Sequence, residues 1–386
     1  AGTDVVGIAQ TGTGKTGAFM IPALERVTAG GGLQVLALCP TRELAQQVCD
    51  DSISLSKGTN IRTEAIFGGV PYPPQIKALE EGYEIIVATP GRFIDHMQSR
   101  RVDLSNMRYL VLDEADRMLD MGFQHDVKKI AAKVPARRQT MLFSATMPKL
   151  VQGLANNLLD DPVRVEAAPA ATTAEKVEQQ VLFVASDNKR NLLSHLLKDQ
   201  SVERVLVFTR TKHGANKLTR TLEKDGISAA AIHSNKSQGA RTRALADFKQ
   251  HKICALVATD IAARGLDIEQ LPQVVNFDLP NIAEDYVHRI GRTGRAGLDG
   301  QAVSLVSIDE HKSLAGIERL LRRSLASEII VGFEPDPDFV AEAPAVRAVR
   351  PSRPRSQPQA KRAQNGRPSK DTSKGSQYRR QTKKAV

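Results

Sequence analysis

The sequence predicts an α/β chain: two doubly wound parallel-sheet domains in tandem, followed by a disordered basic tail. Three observations lead there. Short apolar runs alternate with helical segments and repeatedly end in polar motifs, as in a parallel sheet that presents its chemistry at the carboxyl edge. Residues 167–175 lack large apolar side chains and read as a linker, after which the alternation restarts. Charge is unevenly placed: of 54 Lys and Arg and 43 Asp and Glu, residues 341–386 hold 13 and 2, which leaves a balanced body of 41 against 41. The expected divisions are 1–166, a linker at 167–175, 176–330, and a tail at 331–386. The tail is poor in large apolar residues and should attract polyanions.

A hydrophobic content of 41% and a charged content of 25% are those of a globular protein of about two domains. No apolar run has transmembrane length and no signal-peptide pattern opens the chain, so a cytoplasmic protein with no membrane partner is expected. Cys39, Cys49 and Cys254 show no metal-ligand spacing and read as reduced core residues. The chain opens at Ala1, without Met, and a strand follows almost at once, which suggests that a preceding segment has been cut away.

In order, Val5 to Ala9 reads as a strand. It is followed by Gln10-Thr11-Gly12-Thr13-Gly14-Lys15-Thr16-Gly17 and a helix to about Val27. A strand, a glycine loop and Gly-Lys-Thr opening a helix form the context of a phosphate-binding loop. Backbone N–H groups would surround phosphate oxygens, Lys15 would reach the β- and γ-phosphates, and the Thr16 hydroxyl would face Mg²⁺. Strands at 34–38, 62–67, 84–88 and 139–143 and helices at 42–56, after Arg92, over 118–133 and from Pro148 continue the alternation. Tyr109 to Leu112 is an apolar run ending in Asp113, Glu114 and Asp116, three carboxylates within four residues. Neighbouring acids at a strand end can divide their labour, one holding a metal ion and the other a water proton. Taken alone, the same pattern also fits a strand that ends in a solvated turn.

The second half repeats the alternation with strands at 178–184, 204–208, 228–232, 253–258, 273–277 and 301–306, but it lacks a glycine phosphate loop. It offers instead Arg289, Arg292 and Arg295, spaced by three so as to share one face of a helical or turn segment. Such arginines can supply positive charge to a phosphate held elsewhere.

Together these motifs resemble a DEAD-box RNA helicase of superfamily 2, over residues 4 to about 325. The resemblance rests on the glycine loop, Pro40-Thr41-Arg42-Glu43-Leu44-Ala45, Gly68-Gly69, Thr89-Pro90-Gly91-Arg92, Asp113-Glu114-Ala115-Asp116 and Ser144-Ala145-Thr146. In the second half it rests on Val207-Phe208-Thr209-Arg210, Gln238 with Arg241, Ala258-Thr259-Asp260 through Asp267, and His288 to Arg295. Lys236 to Arg241 and Asp285 to Arg289 look most like the bacterial subgroup called RhlE.

The resemblance implies two RecA-like domains that bind ATP and Mg²⁺ between them and RNA across both, without sequence choice. It implies nucleotide contacts at Gly12, Thr13, Gly14, Lys15, Thr16, Gly17 and Asp267, and Mg²⁺ at Thr16 and Asp113. Glu114 would activate water, and Arg292 and Arg295 would be the fingers. His288 would couple hydrolysis to closure together with Asp116, Ser144, Thr146 and Arg264. RNA would run along Thr41, Arg42, Gly69, Thr89, Arg92, Arg210, Gln238, Arg241 and Thr259. A monomer acting with ribosomal or RNA-decay complexes is expected, with halves free to move until both ligands bind.

The family reads adenine through an aromatic residue and a glutamine upstream of the phosphate loop, and this chain begins after them. Poor discrimination between ATP and GTP is therefore expected. Ser234 and His251 stand where glycine is common, with little consequence expected. A DNA translocase of the same superfamily and a non-catalytic RNA clamp acting through the tail are the alternatives. Lys15, Asp113, Glu114 and the paired arginines weigh against the clamp, which needs none of them.

Overall fold

The computed structural model describes residues 2–9, 13–167, 177–198, 203–263, 271–294 and 300–335. Gly12, Arg264, Asp267, Arg295, most of the linker and most of the tail lie outside them.

The first half carries strands β1 Val5–Ile8, β2 Val35–Leu38, β3 Thr63–Ile66, β4 Ile85–Ala88, β5 Tyr109–Leu112, β6 Gln139–Ser144 and β7 Val163–Glu166. Its helices are α1 Lys15–Leu24, α2 Arg42–Leu55, α3 Tyr72–Glu80, α4 Pro90–Gln98, α5 Ala115–Asp120, α6 Gln124–Ala131 and α7 Lys149–Leu158. The second half carries β8 Val177–Phe183, β9 Val205–Phe208, β10 Ala229–Ile232, β11 Ala255–Ala258, β12 Gln273–Asn276, β13 Gly300–Val306 and β14 Ala326–Glu328. Its helices are α8 Lys189–Leu197, α9 Lys212–Lys224, α10 Gln238–Lys249, α11 Asp260–Ala263, α12 Ala283–Ile290 and α13 His311–Leu321.

Among the described residues each half is a seven-stranded, all-parallel sheet. The orders are β3-β4-β2-β5-β6-β1-β7 and β10-β11-β9-β12-β13-β8-β14, which are the same order twice. The central strands are continuous apolar quartets: Val-Leu-Ala-Leu in β2, Ile-Ile-Val-Ala in β4, Tyr-Leu-Val-Leu in β5, Val-Leu-Val-Phe in β9. They are buried throughout because helices cover both faces of the sheet. Leu36, Leu110 and Leu142 pack on one face of the first sheet, and Val35, Val111 and Phe19 on the other. No described helix is long and apolar enough to cross a membrane.

Four elements differ from the expectation. Helix α3 was not anticipated, because Pro71-Tyr72-Pro73-Pro74 reads as a breaker. Its prolines occupy the first turn, where the missing N–H groups have no intrahelical partner to lose. The expected helix over 118–133 is two helices, α5 and α6, broken where Gly122 takes φ +81°. Edge strands β7 and β14 are exposed along their length, so neither shows an apolar run.

His251 also matters more than its sequence context suggests. It holds φ +58°, a left-handed conformation that costs a residue with a Cβ roughly 1 kcal/mol. His251→Gly is expected to raise the stability of the second half by about 1 kcal/mol, read as a shifted denaturant midpoint. An unchanged or lowered midpoint would contradict this.

Candidate active site at the carboxyl edges of the two sheets

The strand order puts the end of β5 between the ends of β2 and β6, with β1 one strand further. Lys15 opens α1 behind the loop that leaves β1. Its side chain is 8% exposed, its Nζ donates to the Ala9 carbonyl at 3.1 Å, and it stands 3.8 Å from Asp113 Oδ1. Gly14 caps α1 at φ +83° with no side-chain cap, leaving the first N–H groups of the helix open to an anion. Thr13 is exposed, and Thr16 and Gly17 are half-buried in the first turn.

Asp113 and Glu114 are both buried and have opposite electrostatic surroundings. Burial pushes the Asp113 carboxyl up to about 6, only partly offset by Lys15. Its Oδ1 accepts the Glu114 N–H at 2.9 Å. Burial also acts on Glu114, but the charges of Arg117, Lys15 and Arg292 overcome it and hold the carboxyl below its ordinary value. Arg117 Nη1 donates to Glu114 Oε2 at 3.1 Å. Glu114 sits at φ +52°, ψ +53°, a strained position for a residue with a side chain, and one that directs the two acids differently.

Asp116 turns away from that pair and closes a network onto the end of β6. Its Oδ2 accepts the Thr146 N–H at 2.9 Å and the Thr146 hydroxyl at 2.8 Å. The Ser144 hydroxyl accepts the Asp116 N–H at 3.2 Å and donates to the Thr146 carbonyl at 2.7 Å. These bonds tie the start of α5 to the end of β6, about thirty residues away in sequence.

These residues fit a phosphate with a divalent cation. Lys15 and the open end of α1 suit the anion, and the buried Asp113 carboxylate, whose ionised form burial disfavours, gains from a cation beside it. No cluster of three metal-ligating side chains exists among the described residues. Asp113 and Thr16 would therefore hold Mg²⁺ with water and phosphate oxygens completing its shell, the usual arrangement for this ion.

The second half reaches this centre through Arg292, which is 3% exposed and contributes to the field at Glu114. Arg117 lines one small crevice together with His288, Arg289 and Arg292. His288 Nδ1 lies 3.8 Å from Asp285 Oδ1. Arg289 and Arg292 do not share one helical face, because α12 ends at Ile290 between them; Arg295 lies outside the described residues. Arg289 is 2% exposed and tied down, with Nε and Nη2 on the Asp260 carboxylate at 2.6 and 2.8 Å and Nη1 on the Asn276 amide oxygen at 3.1 Å. It braces the site rather than facing a ligand.

The residues expected to follow a nucleic-acid backbone all lie at carboxyl edges, after β2, β3, β4, β9, β10 and β11. Thr41 spends its hydroxyl capping α2, accepting the Leu44 N–H at 3.2 Å. Thr89 caps α4 without a side-chain bond. Arg92 donates to the Val70 carbonyl at 3.1 Å and lies over the Tyr72 ring, 3.9 Å from its centroid. Gly69 takes φ +83° so close to Arg42 that a Cβ there would meet the guanidinium at 2.2 Å. Arg210 is exposed and joined to Glu310 at 3.0 Å, while Thr259 is half-buried before α11.

Arg42, Gln238 and Arg241 meet across the two halves around Glu43, an acid of the Pro40–Ala45 stretch for which no role was expected. Glu43 Oε1 takes Arg241 Nε at 2.9 Å and the Gln238 amide at 3.1 Å, and Arg42 Nη1 donates to Gln238 Oε1 at 3.3 Å. Glu43 and Arg117 were legible only as ordinary helix charges. Glu43 lies inside the Pro40–Ala45 stretch and Arg117 directly follows Asp113–Asp116, and that placement after strand ends was the available signal.

The comparisons with known proteins agree with this geometry. Residues 1–154 match the family model described as DEAD/DEAH box helicase, and residues 188–297 match the helicase conserved C-terminal domain. A solved DEAD box protein from the hyperthermophile Methanococcus jannaschii is 40% identical, with 84% of this chain and 88% of that one covered and a TM-score of 0.51. The chain belongs to the DEAD-box family. The DEAD-box ATP-dependent RNA helicase 30 of Arabidopsis thaliana is 43% identical over 84% of this chain and 56% of its own length. The dbp2 ATP-dependent RNA helicase of Aspergillus clavatus is 43% identical over 83% of this chain and 60% of its own. The chain thus spans little more than half of these DEAD-box relatives. Dbp5 of S. cerevisiae bound to RNA and ADP BeF3 is 29% identical, with 88% and 87% covered and a TM-score of 0.76. These plant, fungal and archaeal relatives lend no support to a placement beside bacterial RhlE.

Proposed function

We propose that this DEAD-box chain is the core of an ATP-dependent RNA helicase, hydrolysing ATP to ADP and phosphate while closing on a short stretch of RNA. The carrying observation is the buried acid pair at the end of β5, faced by Lys15 from its own half and by the Arg292 charge from the other.

In this reading the glycine loop and Lys15 bind the triphosphate, and Asp113 and Thr16 hold Mg²⁺. The ion neutralises phosphate charge when bound. Glu114, kept ionised by Arg117 and Arg292, orients the attacking water and takes its proton. Arg292, with Arg295 beside it in sequence, steadies charge developing on the transferred phosphoryl group. Asp267 meets the ribose. The Asp116–Ser144–Thr146 unit, with His288 and Arg264, reports the state of the acids to the RNA edge. Thr41, Arg42, Gly69, Thr89, Arg92, Arg210, Gln238, Arg241 and Thr259 follow the RNA backbone, which gives binding without sequence choice.

Closure is supported by the Glu43–Arg241 ion pair between the halves. It is supported too by the better superposition on the Dbp5 complex with RNA and ADP BeF3 than on the more similar archaeal protein. A bend imposed on one strand across both halves would strip a short duplex or remodel ribonucleoprotein. Cytoplasmic action as a monomer, alongside ribosomal or RNA-decay complexes, goes with this reading. The finer placement beside RhlE rests on Lys236–Arg241 and Asp285–Arg289 alone. The deciding experiment is ATP hydrolysis with no nucleic acid, with RNA and with DNA. Stimulation by RNA alone supports the reading, and equal or no stimulation refutes it.

The tail adds non-specific affinity. Residues 341–386 hold the whole net charge, so removing them should weaken RNA binding and flatten the slope of log affinity against log salt, with hydrolysis at saturating RNA preserved. An unchanged slope would show the tail to be a bystander.

A further inference from the structure

The shared strand order gives the first half's catalytic edge a counterpart in the second. β8 stands where β1 stands, β9 where β2, β12 where β5 and β13 where β6. No glycine loop follows β8, yet the ends of these four strands enclose a cleft of about 330 Å³, large enough for a mononucleotide. Lys189 opens α8 as Lys15 opens α1. Lys15 faces Asp113, the first residue after β5; Lys189 Nζ donates at 3.0 Å to the carbonyl of Phe277, the first residue after β12.

Four bases and four acids line the cleft, so charge count alone does not choose a ligand. The hydrogen bonds do. Glu310 is 3% exposed and saturated: it accepts from Lys189, from Arg210 at 3.0 Å and from the Leu279 N–H at 2.9 Å. One carboxylate thus answers two cations. Asp309 accepts the Ser307 hydroxyl at 2.6 Å, Asp278 accepts the Arg210 N–H at 2.8 Å, and Asp187 is exposed. The side chains of the remaining wall cations, Arg190 and Lys217, have no ion-pair or hydrogen-bond partner among the described residues. The half-buried Phe277 ring supplies an aromatic surface on the same wall.

We propose that this cleft is a second site, separate from the one at Lys15, that binds a nucleoside 5′-phosphate. Arg190 and Lys217 take the phosphate and Phe277 takes the base. A free nucleotide and the 5′-terminal nucleotide of an RNA strand both carry this chemistry.

The chain contains no tryptophan, so Phe277→Trp places one reporter in the cleft. The probes are AMP, adenosine, and a short oligoribonucleotide with a 5′-phosphate or a 5′-hydroxyl. The expected result is a saturable fluorescence change with AMP, with the 5′-phosphorylated strand, or with both, and affinity at least about tenfold weaker without the phosphate. A response to AMP alone identifies free nucleotide as the source; a response to the strand alone identifies the RNA end. Adding Arg190→Glu and Lys217→Glu should weaken binding at least about tenfold, while adding Lys15→Ala should leave it unchanged. Loss of the signal with Lys15→Ala, its survival of charge reversal, or no saturable change with any probe would overturn the proposal. Should the tryptophan variant fail to fold, amide shifts of residues 186–190 and 277 in the unaltered chain give the same readout.

Discussion

Arg292→Ala should bind ATP with near-normal affinity and lose RNA-stimulated hydrolysis by about 10³-fold. Arg292 lies just past the end of α12, is nearly fully buried, and contributes to the field at Glu114 in the other half. Charge delivered from a separate domain acts only when the halves meet, so its loss should spare nucleotide binding and fall on turnover. Arg292→Lys should recover only part of the rate, because an ammonium keeps the charge but not the planar fork that matches phosphate oxygens. The measurement is turnover at saturating RNA beside a nucleotide affinity from direct titration. Near-normal turnover in the alanine variant would remove Arg292 from the chemistry and leave Arg295 as the candidate.

The second large effect belongs to Glu114. Glu114→Gln keeps the size of the side chain and can keep a contact with Arg117, so the fold and ATP binding should persist. Turnover should fall about 10²-fold or more, because an amide cannot take a proton from water. The strained backbone at φ +52° is part of this argument: the fold holds an acid in an unfavourable conformation instead of accepting a glycine there. Turnover within a few-fold of the parent would place the base elsewhere.

Most of the sheet architecture was legible because central parallel strands must be apolar on both faces, and such quartets stand out against their polar ends. β7 and β14 were not legible because an exposed edge strand needs no apolar pattern. Helix α3 was hidden because proline both breaks a helix interior and favours a first turn, and only its position decides which. At the site, motifs at strand ends announced Lys15, Asp113, Glu114 and Asp116. The partners of these groups were harder to see. Arg117 and Glu43 occupy helix positions where a solvated charge would look the same. Arg289 and Arg292 differ only in lying before and after the end of α12, which spacing by three cannot show. The pairing of Arg42, Gln238 and Arg241 through Glu43 depends on how the two halves meet, a relation that no local pattern encodes.

The central claim is that ATP and RNA each favour a closed arrangement of the two halves and therefore assist one another's binding. The direct measurement is the distance between labels at exposed positions, one in each half, such as Ser99 and Lys224, with the half-exposed Cys254 replaced by serine. It is taken with no ligand, with RNA, with a non-hydrolysable ATP analogue, and with both. The account predicts a shift to a short, narrow distance distribution with both ligands and a weaker shift with either alone. One distribution common to all four conditions would contradict the clamp, whatever the motifs resemble.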